Sequence, residues 1–131
     1  MAGIKDVSNA LRSAEAQRKK LRDRRESIKA KQKLLEKQGI KRGSLHQQEK
    51  RPGYKVWYFN MASIACEDGQ RVRVYVGNDP KRLKFIKECI ARMRKHDELG
   101  RELAAVEDAI HDFGRMLRAA IESAEYLSRR W

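Results

Sequence analysis

Residues 54–77 read YKVWYFNMASIACEDGQRVRVYVG, and the fold turns on how this stretch pairs with itself. Two runs rich in Val, Tyr, Trp and Phe flank Asp68-Gly69, a favoured central pair of a type I′ turn because both residues tolerate positive φ. A two-residue turn there predicts a β-hairpin over 54–77 with Ala65 opposite Val72, Ser63 opposite Val74 and Met61 opposite Val76. One surface then carries Trp57, Phe59, Met61, Ala65, Val72, Val74 and Val76 and is expected to be core. The other carries Tyr54, Tyr58, Asn60, Ile64, Arg71, Arg73 and Tyr75, aromatic planes mixed with guanidinium groups. A two-stranded ribbon fits a major groove, and exposed Tyr and Arg stack on unpaired bases. The same tyrosines would equally serve as packing under helices, with the arginines decorating an edge. An isolated hairpin is marginal in water, so helices must cover at least one face, and the valines have the stronger claim.

Towards the N-terminus, residues 40–53 show no period and contain Gly43-Ser44, two Gln and Pro52-Gly53, so they read as a loop. Lys41, Arg42, Lys50 and Arg51 make it basic, either a solvated connector or an arm that orders on phosphate. Residues 1–39 read as a heptad helix. With Ile4, Leu11, Arg18, Arg25 and Gln32 at a, the d positions are Val7, Ala14, Leu21, Ile28 and Leu35. The d series is unbroken, the a series is polar from Arg18 onward, and such a half-dry seam still needs a partner. Gly39, after Lys37, stands where a left-handed C-terminal cap belongs.

Towards the C-terminus, Asn78-Asp79-Pro80 supplies an N-cap acid and a first-turn proline. Leu83, Ile86, Ile90 and Met93 follow at helical spacing. Beyond Gly100 the period resumes one place out of phase through Leu103, Val106, Ile110, Phe113, Leu117, Ala120 and Ala124. The segment 79–130 is therefore helical with a kink or break near Gly100; a single Gly costs only about 1 kcal/mol, which favours a nearly continuous helix.

Charge along the chain is directional. Residues 1–53 hold sixteen Lys and Arg against six acids, or +10 of the total +13; residues 54–99 carry +4 and residues 100–131 carry −1. The run Arg18-Lys19-Lys20-Leu21-Arg22-Asp23-Arg24-Arg25 sets six bases against one acid. A merely solvated helix face interleaves both signs. A field concentrated at one end instead attracts a polyanion and gains by displacing counterions from a phosphate backbone. The partner expected is nucleic acid, DNA or RNA, with Arg18, Lys19, Lys20, Arg22, Arg24 and Arg25, and the basic residues Lys41, Arg42, Lys50 and Arg51, on phosphates, and with Tyr58, Arg71, Arg73 and Tyr75 on bases or a groove. A charged fraction of 37 % leaves few residues for a thick core, so an elongated, mostly helical domain over 1–131 is expected. Neither a membrane span nor a signal-peptide core is present in the sequence, and the expected location is cytoplasmic.

Catalytic chemistry finds little purchase. His46, His96 and His111 are scattered, Cys66 and Cys89 lack metal-ligand spacing, and no phosphate loop, HExxH or nucleophile grouping occurs. The expectation is no enzyme activity, no metal and no cofactor, with two free buried thiols.

Taken in order, Gly43-Ser44-Leu45, the run Tyr54 to Phe59, Asp68-Gly69 to Val76, the Pro-started helix and the Leu-rich coil resemble a small uncharacterised bacterial domain family often found near mobile genetic elements. The resemblance covers about residues 43–106 and implies a phage or mobile-element context without a defined activity. Members often carry clustered cysteines between the Gly-Ser and the first strand. Residues 45–53 hold none here, so no metal site carries over.

The sequence thus predicts an α+β, mostly α protein: a long basic N-terminal helix, a β-hairpin, and a long C-terminal helical segment forming a coiled coil or bundle. It predicts a nucleic-acid binder of a phage or mobile element, with a homodimer modestly favoured over an intramolecular helix pair. The alternative is a protein-interaction module, an inhibitor or assembly adaptor acting on an acidic or nucleic-acid-binding protein partner or a larger nucleoprotein.

Overall fold

The computed structural model describes residues 4–61 and 72–130. Five elements follow one another: α1 (Ile4–Gln38), β1 (Gly43–Arg51), β2 (Tyr54–Met61), β3 (Arg73–Gly77) and α2 (Pro80–Arg130). The fold is α+β and mostly α, with one antiparallel three-stranded sheet ordered β1-β2-β3. By its internal contacts the chain divides into two compact units, Met1–Lys31 with Leu99–Trp131, and Gln32–Glu98.

The heptad reading of α1 holds in its burial. Between Asn9 and Gln38 the side chains withdrawn from solvent are Leu11, Ala14, Arg18, Leu21, Arg25, Ile28, Gln32 and Leu35, the a and d series and nothing else. The first unit is an antiparallel pair of helical segments: Arg24 is ion-paired to Glu102 and Arg18 lies against Gly114. Ile28, Leu99, Val106 and Ile110 form its buried core. The helix ends as expected, with Gly39 at φ 108° donating its N–H to the carbonyls of Leu35 (3.0 Å) and Glu36 (3.2 Å).

The second helix runs unbroken through Gly100, so the phase slip is taken up inside one continuous ladder. Leu103, Val106, Ile110, Phe113 and Leu117 are withdrawn from solvent. Ala120 and Ala124, which continue the apolar period, are exposed, as is every described residue after Leu117; the period outlasts the turns that are covered.

Residues 40–53 are not a loop. Gly43–Arg51 is a nine-residue edge strand, joined to β2 through Pro52-Gly53. Proline presets φ for the first turn position and Gly53 takes φ 78° at the second, as in a type II turn. That turn mismatches the right-handed twist of a hairpin, and the ladder carries a one-residue irregularity between Glu49 and Arg51 where the mismatch is absorbed. The Glu49 carboxylate accepts from the Gly53 N–H at 3.0 Å. GSLHQQEKR lacks β-branched residues and alternation, so pairing with β2 imposes the strand against its own weak preference.

The register of β2 on β3 also differs from that predicted. Val74 stands opposite Phe59, not Ser63, Tyr75 opposite Tyr58 and Arg73 opposite Asn60, and the Met61 N–H donates to the Val72 carbonyl at 2.9 Å. The Asp68-Gly69 turn lies outside the described residues. At the other end of the strand Val76 is seated in the core beside Phe59 and Ile86. For Arg73, Val74 and Tyr75 the displacement is four residues, an even number, so their faces keep their assignment; a register irregularity between Trp57 and Tyr58 follows before Gly77 pairs with Trp57. Coverage does not follow from face alone: Phe59 is 5 % and Val76 3 % exposed, but Val72 is 48 % and Val74 44 % exposed. Because α2 starts three residues after β3, it covers only the Val76 end of the strand.

Candidate nucleic-acid interface

The outer face of the sheet is assembled in cross-strand rows. Antiparallel pairing sets His46 beside Tyr58 and Tyr58 beside Tyr75, while Ser44, Asn60 and Arg73 form the next row. Tyr58 and Tyr75 meet edge to face, centroids 5.6 Å apart and planes at 71°. Arg73 stacks on the Tyr58 ring with its guanidinium carbon 3.9 Å from the centroid, and donates to the Gln48 amide oxygen. Lys50 reaches both rings, its Nζ 5.6 Å from the Tyr58 centroid and 5.4 Å from that of Tyr75. A hydrogen bond with the Tyr58 hydroxyl raises the Lys50 pKa above its ordinary value, with the charges of Tyr58, Tyr75 and Tyr54 adding to it. Arg51 lies over Tyr54 at 5.3 Å. Val56, which alternation places on this face, is only 1 % exposed.

The basic run of α1 is divided by the heptad. Arg18 and Arg25 occupy a positions and are half-buried; the Arg18 guanidinium packs on Gly114, and its Nε is buried without a hydrogen-bond partner. Arg25 Nε donates to Glu26 at 3.3 Å. Arg24 is ion-paired to Glu102, its Nε at 3.1 Å from the carboxylate. Lys19, Lys20 and Arg22 project into solvent, with no hydrogen bond or ion pair among the described residues. Three of the six expected phosphate ligands are thus committed to packing or pairing.

Lys41 and Arg42 belong to the core side. Lys41 lies 5.9 Å from the ring centroid of the buried Phe59, and Arg42 makes a two-pronged contact with Asp97 at 2.7 and 2.8 Å. Hydrogen bonding by Asp97 raises the Arg42 pKa still further. Both residues, with Phe59, Val74, Phe85 and Ile86, line a hollow of about 510 Å³. Arg71 lies outside the described residues.

Sequence reading missed His46 and Gln48, which join the Tyr/Arg face only through β1. It also missed a stripe that the heptad itself encodes. Arg12, Lys19, Arg22 and Lys29 fall at b and e positions, all exposed, along about 26 Å of one helix flank, interrupted by Glu15 and Glu26. Scoring basic residues by heptad position rather than by runs would have found it.

Among the described residues no group of three His, Cys, Asp or Glu side chains could hold a metal ion, and no helix is long and apolar enough to cross a membrane. Cys89 is a buried free thiol; Cys66 lies outside the described residues. Comparison with protein-family models, with curated proteins and with solved structures gave no match to this chain.

Proposed function

We propose that this chain is a non-enzymatic nucleic-acid-binding protein of a phage or mobile element. The observation that carries the reading is the sheet face on which Lys50, Arg51 and Arg73 are each held over a tyrosine ring, in a chain of net charge +13. Positioned cations on a rigid sheet bind phosphates without first losing much side-chain freedom, and the solvent-facing Lys19, Lys20 and Arg22 add a second cationic surface on a helix. Fluorescence anisotropy with labelled DNA and RNA across a salt series tests it. Binding should weaken linearly in log affinity against log salt, by roughly one unit of slope for each phosphate contact. Binding that is absent, or that ignores salt, overturns the proposal.

A second reading rests on a separate observation. Met116, Ile121, Tyr126 and Leu127 are exposed on the last turns of α2, more apolar surface than a solvated helix end requires. Under this reading the region is a protein contact, a homodimer in the first instance, since residues 100–131 carry only −1 and do not repel a second copy.

A further inference from the structure

Aromatic residues on a nucleic-acid-binding sheet bind in one of two ways: their faces stack on unpaired bases, or they organise other groups. The two are told apart by what already occupies the ring faces. On Tyr58 the Arg73 guanidinium sits at 3.9 Å from the ring centre, the separation of a stacked plane, so a base stacking there would have to displace it. Lys50 lies over both Tyr58 and Tyr75, and the two rings also meet edge to face. Arg51 covers Tyr54. All three tyrosines of this face therefore have a cation of the same chain over the ring, and Arg73 is further fixed by the Gln48 amide.

We infer that this face takes the sugar–phosphate backbone of a double-stranded nucleic acid and is not a base-stacking platform. The inference rests on the proposed nucleic-acid function and narrows it. Lys50, Arg51 and Arg73 are the groups that meet the ligand, and Tyr54, Tyr58 and Tyr75 are positioning residues that hold them. Cations alone read charge density. A duplex presents one phosphate charge per 1.7 Å of axis and a single strand half as many, so such a surface favours the duplex, whereas a stacking surface favours the unpaired strand.

The test uses the full chain, one fluorescent DNA duplex, its separated single strand, and an RNA duplex of equal length, at several salt concentrations. The single strand carries 2-aminopurine, whose emission is quenched on stacking. The duplexes should bind several-fold tighter than the strand and with the steeper salt dependence, and 2-aminopurine emission should stay unchanged; the two duplex arms show which sugar is accepted. Arg73→Lys keeps the charge but loses the flat stack, and Gln48→Ala releases the guanidinium from its other support; each should lose several-fold affinity for duplex in a protein with parental circular dichroism. Tighter single-strand binding with quenched 2-aminopurine overturns the inference and leaves the nucleic-acid function standing. Parental duplex affinity in both Arg73→Lys and Gln48→Ala overturns it as well. Failure to bind any of the three polymers overturns the function on which it rests.

Discussion

Arg18 and Arg22 are four residues apart in one basic run, and the fold gives them opposite work. Arg18 sits at an a position, against Gly114, with a buried Nε that finds no partner. A buried unsatisfied donor costs about 1–3 kcal/mol, and Met has a similar reach without the polar atom, so Arg18→Met should raise stability by about 1 kcal/mol in urea denaturation and leave nucleic-acid affinity near that of the parent. The triple replacement of Lys19, Lys20 and Arg22 by Gln should do the reverse, leaving the melt unchanged while flattening the salt slope by up to about three units. An Arg18→Met protein that binds as weakly as the triple variant would show that half-burial does not remove this cation from the interface. At Lys50 the sign follows from the raised pKa. The folded state holds that proton more tightly than the unfolded chain, so the contact stabilises fully below the ordinary Lys value and is lost as pH rises through the higher folded value. Lys50→Met should therefore melt slightly below the parent at neutral pH, and the difference should close in strongly alkaline buffer. A gap that stays open once Lys50 is fully deprotonated would contradict the Tyr58 contact.

At the scale of elements, what the sequence disclosed is what is written locally. The α1 seam was legible because its a and d positions repeat over the length of the helix, and the same positions emerge half-buried or buried. The cap at Gly39 and the start at Pro80 were equally local signals. β1 was illegible because GSLHQQEKR is a strand only in the presence of β2; its polar, charged composition suits an exposed sheet edge, where it discourages pairing with other chains. The partners of Phe59 were misplaced for a related reason: the register was counted from Asp68-Gly69, which lies outside the described residues, whereas the observed pairing sets Val74 opposite Phe59 and Val76 in the core. The faces survived that error because the shift was even, so Tyr58, Arg73 and Tyr75 came together as predicted from parity. Burial within a face did not survive. Val76→Asp should cost several kcal/mol by placing an unpaired charge beside Phe59 and Ile86, whereas Val74→Asp should cost about 1 kcal/mol or less. Chemical denaturation of the two variants checks this directly, and equal losses would return the register to the one the turn predicts.

For the whole molecule, charge and apolar surface are segregated along the chain, and each decides a different kind of association. Residues 1–53 at +10 repel a second copy of themselves, while residues 100–131 at −1 do not, and Ile121 and Leu127 stand exposed on the near-neutral stretch. Burying apolar area returns about 25 cal/mol per Å², which drives contact wherever charge permits it. Self-association through the end of α2 is the expected outcome, and it would bring two sets of cations to one polymer, so that the salt slope of the dimer exceeds that of the monomer. Light scattering should give a mass that rises from one chain towards two with concentration. Ile121→Asp combined with Leu127→Asp should hold it at one chain; both positions are exposed, so the melting temperature at low concentration should stay near that of the parent. Nucleic-acid binding by that double variant should persist with a shallower salt dependence, because the sheet face and the α1 flank remain. A parent that stays monomeric at every concentration would remove the homodimer and leave the exposed end of α2 to a different protein partner, tested by whether the same two substitutions change any activity of the chain in its host.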